Sequence, residues 1–199
     1  MDGRRSVRKD CAVPKVFVIT GPSGVGKGTL ISELVRRIDG LEVSVSATTR
    51  EPRQGEVEGR DFHFLDGVEF DQRARRGEFL EHATYSGNRY GTLRGEVERR
   101  LAEGRSVVLE IEVQGARQVR AAMPESVQVF IAPPHAAALR HRLEARGTDS
   151  GGAIDERLRT AELELAAQAE FEHVVVNDEV NAAAGNLEAI VREELGRDP

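Results

Sequence analysis

Val16-Phe17-Val18-Ile19-Thr20-Gly21-Pro22-Ser23-Gly24-Val25-Gly26-Lys27-Gly28-Thr29 is the stretch that decides the architecture of this chain. Its first four residues form a continuous apolar run, the pattern of a strand buried on both faces. Gly21 to Lys27 then has the spacing of a phosphate loop. In such a loop glycines let successive backbone N–H groups converge on phosphate oxygens at a helix N-terminus, while the lysine reaches the outer phosphates. From Gly26 onward Leu30, Ile31, Leu34, Val35 and Ile38 recur at helical spacing, and Asp39-Gly40 marks the stop. The unit reads as strand, glycine loop, helix. Gly21, Pro22, Ser23, Gly24, Val25, Gly26, Lys27, Gly28 and Thr29 are therefore candidate binders of a nucleotide phosphate. Only three of the chain's 28 basic residues are lysines, Lys9, Lys15 and Lys27. A strong preference for arginine is thus overridden inside the loop, where a compact ammonium fits and a wide guanidinium does not.

Outward from this unit, similar apolar runs recur at Val107 to Ile111, Val127 to Ile131 and Val174 to Val176. Helix-like stretches separate them, from about Gln114 to Met123, Leu139 to Ala145, Ile154 to Ala169 and Val180 to Leu195. That alternation predicts an α/β fold of three layers, a mainly parallel sheet between helices. Ser46 to Leu93 breaks the pattern with Gly, Thr, Arg and aromatics and short strand-like pieces at Asp61 to Phe64 and Glu78 to Glu81, and reads as an inserted, mobile subdomain. Arg146 to Gly152, polar and glycine-rich between helical segments, reads as a flexible lid. The expected organisation is a leader at 1–14, core segments at 15–45, 94–145 and 159–195, an insertion at 46–93, a lid at 146–158 and a tail at 196–199.

Bulk properties narrow the function. A chain of 199 residues suits one substantial core, and 39% hydrophobic with 31% charged residues describes an ordinary soluble globular protein. Its net charge of −6 argues against nucleic acid as the main partner. Cys11 is the sole cysteine, so no internal disulfide can form, and the five histidines show no metal-ligand spacing. The basic leader lacks the apolar stretch of a secretory signal, and no run is long enough to span a bilayer, so a cytoplasmic protein without membrane association is expected.

Two further segments carry chemistry. Ser46-Ala47-Thr48-Thr49-Arg50-Glu51-Pro52-Arg53-Gln54-Gly55-Glu56 sets two guanidiniums three residues apart among hydroxyls, which suits a monophosphate gripped by charge-assisted forks. Val107-Val108-Leu109-Glu110-Ile111-Glu112 sets two carboxylates on one face at the end of a buried strand, where an acid is costly unless something pairs it.

The first of these segments, followed by Gly59-Arg60-Asp61-Phe62-His63-Phe64, Glu78-Phe79-Leu80-Glu81 and Gly87-Asn88-Arg89-Tyr90-Gly91-Thr92, resembles the guanylate kinases in order and spacing. The resemblance runs from about Val16 to Leu195. It implies a P-loop kinase that moves the terminal phosphoryl group of ATP onto GMP, with dGMP as a further acceptor and Mg²⁺ accompanying ATP. Ser46, Arg50, Arg53 and Tyr90 match residues that hold the GMP phosphate, and Glu81 and Thr92 match the guanine readers. Guanine offers N1–H and N2–H side by side, so one carboxylate can accept both, whereas adenine would leave it unpaired. Glu110 and Glu112 stand where the family often has Asp, facing guanine or the hydrated metal. Arg142, Arg146 and Arg157 match arginines that close over the ATP phosphates and, with Lys27 and Arg50, are the catalytic candidates. Asn177 matches a position near adenine.

Two positions depart from the family pattern. Gly28 follows Lys27 where a Ser or Thr hydroxyl usually meets the metal, and Phe62 replaces a tyrosine whose hydroxyl helps hold the GMP phosphate. Two rival readings are a silent scaffold domain and a kinase for AMP or dTMP. The intact Gly26-Lys27 loop and the arginines near 146 argue against the first, and Glu81 with Thr92 against the second.

Overall fold

The computed structural model describes residues 13–85, 87–135, 137–140 and 151–196, with the backbone alone for 151–157. The expected leader up to residue 12, the tail from 197, residues 146–150 of the expected lid, Arg146 among them, and Arg142 lie outside the described residues.

The apolar run that opens the phosphate loop becomes strand β1, Val16–Thr20, at the centre of a five-stranded sheet. The sheet runs β2 (Leu41–Val43), β7 (Ser106–Glu110), β1, β8 (Val127–Ala132), β9 (His173–Val176), and every pairing in it is parallel. Because side chains alternate across a strand, β1 feeds two cores at once. Phe17 and Ile19 join Leu30, Ile31 and Leu34 of α1 (Lys27–Arg37) and Ala184, Leu187 and Val191 of α6 (Val180–Glu194) on one face. Val16 and Val18 join Val97 of α3 (Arg94–Ala102) and Val113, Ala116 and Val119 of α4 (Val113–Ala122) on the other. Each large side chain so buried contributes about 1.5–3 kcal/mol. Helix, sheet and helix give the three layers expected of the alternating pattern.

Residues 46–93 build a separate four-stranded sheet in the order β4 (His63–Phe64), β3 (Ser46–Thr48), β6 (Asn88–Leu93), β5 (Phe79–Tyr85). Helix α2 (Gly67–Arg75) covers it through Phe70, whose ring stacks on Phe79 at 4.5 Å. The strand expected from Asp61 is shorter, because Asp61 turns back to accept the backbone N–H of Val57 at 2.8 Å. The strand expected at Glu78 to Glu81 is longer and reaches Tyr85. Helix α5 (Gly151–Ala166) starts three residues before the expected Ile154, so Gly151 and Gly152 of the expected interruption are helical. No described helix is long and apolar enough to cross a membrane.

β1 must end in a tight turn to launch α1, and Gly21 makes that turn at φ 139°. A Cβ there would lie 2.2 Å from the carbonyl oxygen of Ile131 on β8. Gly21→Ala is therefore expected to destabilise the protein by at least about 1–3 kcal/mol, the range for a residue forced into a left-handed or otherwise strained backbone region. Urea unfolding checks this, and an unchanged midpoint would show that the loop closes against β8 in another way.

Candidate active site

The phosphate loop lies at the carboxyl end of the central strand, where ligands bind in open parallel sheets. Gly24 and Gly26 take φ values of 83° and 99°, and α1 begins at Lys27 itself. The Lys27 side chain is 7% exposed and folds back over its own loop, donating to the carbonyl of Gly21 at 2.5 Å and of Pro22 at 3.4 Å. Its ammonium is 3.9 Å from a Glu112 oxygen. Beneath the loop, the buried Asn177 at the end of β9 donates Nδ2 to the Val25 carbonyl at 2.7 Å. Gly26 has to be a glycine at this contact, since a Cβ would sit 2.6 Å from that same amide nitrogen.

The second sheet brings distant residues into line by register. Ser46 pairs with Thr92, and Thr92 pairs with Glu81, so three strands carry the three side chains in one row. A bulge between Phe79 and Glu81 sets that alignment. Glu81 is only 5% exposed, and the Thr92 hydroxyl donates to its Oε1 at 2.8 Å. Burial pushes the Glu81 carboxyl up to about 7, against the Thr92 hydrogen bonds, with a smaller upward push from Glu112.

Arg50 follows β3 and is fixed on several sides. Its guanidinium donates to both carboxylate oxygens of Glu56, at 2.8 and 3.0 Å, and to the Glu51 carbonyl at 2.7 Å. Glu56 holds the Arg50 charge in place and is itself drawn below the usual carboxylate range, chiefly by that hydrogen bond. Arg50 also lies over the Phe62 ring at 5.3 Å, and Phe62 meets Tyr90 edge-on at 6.1 Å. The ring that replaces a tyrosine thus still supports the guanidinium through its face. The Arg53 side chain is exposed, while its backbone N–H donates to Glu56 at 2.7 Å.

Both sheets meet at a cavity of about 470 Å³. Pro22, Ser23, Gly24, Gly26, Lys27 and Gly28 line it from the loop, Ser46, Phe62, Glu81 and Tyr90 from the second sheet, and Glu110 and Glu112 from the ends of β7 and α4. Gly21, Val25, Thr29, Arg50, Arg53, Thr92 and Asn177 stand outside this lining, several of them directly behind it. The two acids do not share a strand face as the sequence pattern suggested. β7 ends at Glu110, and Glu112 has turned the corner to cap α4. Among the described residues no three His, Cys, Asp or Glu side chains gather as a metal cage. Of the arginines expected to reach the donor, Arg157 is placed by its backbone in α5.

The family model for guanylate kinase matches residues 13–194. The chain belongs to the guanylate kinase family. The guanylate kinase of Gloeobacter violaceus is 48% identical over 198 residues, which cover 98% of this chain and 97% of that protein. That of Frankia casuarinae is 50% identical over 174 residues, 87% of this chain and 95% of the relative. Among solved structures, guanylate kinase from Anaplasma phagocytophilum superposes with a TM-score of 0.75 at 34% identity, covering 92% of this chain and 87% of its own. The α/β architecture is thus that of a guanylate kinase.

Two residues at this guanylate kinase site escaped the sequence reading. Glu164 of α5 is 8% exposed and reaches Glu112, with the Lys27 charge and the Ser23 N–H also near it. Burial first, then Glu112, pushes the Glu164 carboxyl above the usual carboxylate range. An acid three residues after the buried Ala161, on a helix face shared with Leu158 and Leu165, was the available signal. Glu56 is the other, hidden because a carboxylate six residues from Arg50 looks like a surface charge until the loop folds.

The raised Glu81 carboxyl has a consequence for stability. Its folded value lies above the ordinary 4.5, so the neutral acid favours the fold below about pH 4.5, and that contribution is lost as pH rises through about 7. Without ligand, Glu81→Gln is expected to gain on the wild type across this window by an amount on the order of 3 kcal/mol. Urea unfolding of both proteins from pH 4.5 to 8 measures it, and parallel curves would mean that Glu81 is not the buried acid.

Proposed function

We propose that this chain transfers the γ-phosphoryl group of ATP to GMP, giving ADP and GDP, with the phosphate loop holding the donor and the second sheet holding the acceptor. The observation that carries this reading is that the loop and the Glu81 carboxylate line one cavity. Family membership and relatives named guanylate kinase support it over nearly the whole chain.

In this reading the resting contacts of each cation state what a phosphate must replace. Lys27 exchanges the neutral carbonyls of Gly21 and Pro22 for charged donor oxygens, a gain for a buried ammonium. Arg50, preset by Glu56 and Phe62, offers its remaining donors to the GMP phosphate beside Ser46, Tyr90 and the exposed Arg53. Glu81 accepts guanine N1–H and N2–H while Thr92 holds its other lone pairs in place. Proximity of two bound phosphates and charge stabilisation do most of the work of phosphoryl transfer, and no general base is needed because the acceptor is already a phosphate oxygen. Arg142, Arg146 and Arg157 supply the positive charge that the loose transition state requires, and Asn177 acts from behind the loop.

Mg²⁺ belongs to the donor complex in this reading. The residues present fit a hydrated ion. Glu110 is exposed at the loop, its Oε2 only 3.7 Å from where a Gly28 Cβ would stand, so a carboxylate borders the space that the missing hydroxyl leaves. Glu110 and Glu112 would hold the ion through its water, and the ion would spread the charge of the β- and γ-phosphates. ATP, GMP and dGMP are the proposed small-molecule partners. One cysteine and a net charge of −6 suit the cytoplasm and a site that owes nothing to nucleic acid or membrane.

Two variants separate the half-sites. Lys27→Ala is expected to abolish transfer and leave GMP binding intact, whereas Glu81→Gln should weaken GMP by about 2 kcal/mol, since an amide cannot accept both guanine N–H groups, and leave ATP unchanged. Coupled ADP release and calorimetric titration report both, and near-normal turnover by Lys27→Ala would refute the kinase reading. Phe62→Tyr should tighten GMP by at most about 1.5–3 kcal/mol, less if water already bridges to the phosphate, without altering ATP affinity. A loss of GMP affinity at unchanged stability would show that the ring's support of Arg50 matters more than a new hydroxyl.

A further inference from the structure

α4 packs its first turn against β5, the edge strand of the second sheet, and the contact falls on Glu81 and its neighbour His82. Gly115 is the third residue of α4 and is buried. A Cβ built on it would lie 2.5 Å from Glu81 Oε2, 3.1 Å from Cδ and 3.4 Å from Cγ. Cβ atoms do not approach oxygen so closely, so any side chain at 115 displaces the carboxylate. A rotation of Glu81 away from a methyl there would disturb the hydrogen bond that its other oxygen accepts from the Thr92 hydroxyl at 2.8 Å. The carboxylate is wedged between a hydroxyl on β6 and a bare Cα on α4.

One turn further along the same helix face, Gln118 fixes the strand itself. Its Oε1 accepts the His82 backbone N–H at 3.2 Å, and its Nε2 donates to the His82 carbonyl at 3.0 Å. Among the described residues β5 has no strand neighbour on that side, and one side-chain amide satisfies both backbone groups as a neighbouring strand would. Glycine is disfavoured in a helix against alanine, so nothing in helix stability favours Gly115. What it provides is space for one carboxylate.

We propose that Gly115 is a specificity-positioning residue for the acceptor base, its missing Cβ keeping the Glu81 carboxylate in the orientation that accepts two adjacent N–H groups, with Gln118 pinning the strand that carries it. This rests on the reading of Glu81 as the acceptor of guanine N1–H and N2–H. The core helix α4, and not the second sheet alone, then sets base choice. Hypoxanthine lacks the exocyclic amine, so IMP offers such a carboxylate one N–H where GMP offers two, and the GMP to IMP affinity ratio reads the carboxylate's orientation directly.

A double-mutant cycle on the full chain tests the proposal, with GMP, IMP and ATP affinities from calorimetry and thermal unfolding without ligand as the check on folding. Gly115→Ala is expected to weaken GMP at least tenfold, to lower the GMP to IMP ratio, and to leave ATP affinity within twofold. Glu81→Asp, whose carboxylate is withdrawn by one methylene, should weaken GMP as well. Combined, the two losses should be less than additive, because a carboxylate withdrawn to the Cγ position, 3.4 Å from the added methyl, no longer makes the 2.5 Å approach. A Gly115→Ala protein that binds GMP within twofold of wild type, or two losses that simply add, would overturn the proposal. Should Gly115→Ala not fold, Gln118→Ala carries the test: a several-fold loss of GMP affinity with a lowered GMP to IMP ratio supports it, and an unchanged ratio overturns it. Glu81→Gln runs alongside, because unchanged GMP affinity in that variant would refute the role of Glu81 itself and not the contact with α4.

Discussion

Backbone N–H groups can converge on a phosphate only where the chain takes left-handed turns beside a rigid support, and that single requirement organises this molecule. Gly21 turns against the Ile131 carbonyl of β8, Gly26 turns against the Asn177 amide beyond β9, and Lys27 closes over both by bonding the loop's own carbonyls. The first support comes from β8, the parallel neighbour of β1, and the second from the end of β9, one strand further out. β1 must therefore be central, buried on both faces and flanked by β8, which is the arrangement its run of apolar residues dictates. The helix that follows inherits its start from the same turn.

Charge in the cavity follows a second constraint. Carboxylates crowd a site meant for anionic ligands, and each is managed differently. Glu56 is engaged by Arg50, Glu164 is pushed above the usual carboxylate range by burial and by Glu112, and Glu81 is buried with a raised pKa and Thr92 as its hydrogen-bond donor. On the proposed reading of Glu81, desolvation makes its ionised form unfavourable until two N–H donors arrive, so the energy that burial withholds from the empty site is returned on binding the matching base. A mismatched base returns less. Selectivity on that reading comes from the difference between satisfied and unsatisfied polar groups, which exceeds what shape alone gives.

Local features were legible in the sequence and tertiary ones were not. The phosphate loop, β1 and α1 could be read from periodicity because their determinants lie within a few residues of each other. Ser46, Thr92 and Glu81 could be named from resemblance, yet their side-by-side placement depends on strand register and on a bulge at Phe79 that no local pattern marks. Glu110 and Glu112 alternated like strand neighbours, but the strand stops between them because Glu112 is the N-cap of α4. Gly115 reads as a weak point in a helix until a carboxylate arrives from residues more than thirty positions earlier. Glu164 lay on a stripe with Leu158, Ala161 and Leu165, a legible anomaly whose partner could not be inferred from the helix itself.

Donor and acceptor sites sharing one cavity, with the base chosen by a buried carboxylate, is a joint statement about chemistry and selectivity, and one measurement addresses both. Steady-state ADP release from ATP and Mg²⁺ by the wild-type protein, compared across GMP, dGMP, AMP, UMP and dTMP, should give rapid turnover with GMP, turnover with dGMP, and little with the others. Comparable kcat/KM for AMP or dTMP, or no ADP release with GMP, would contradict it.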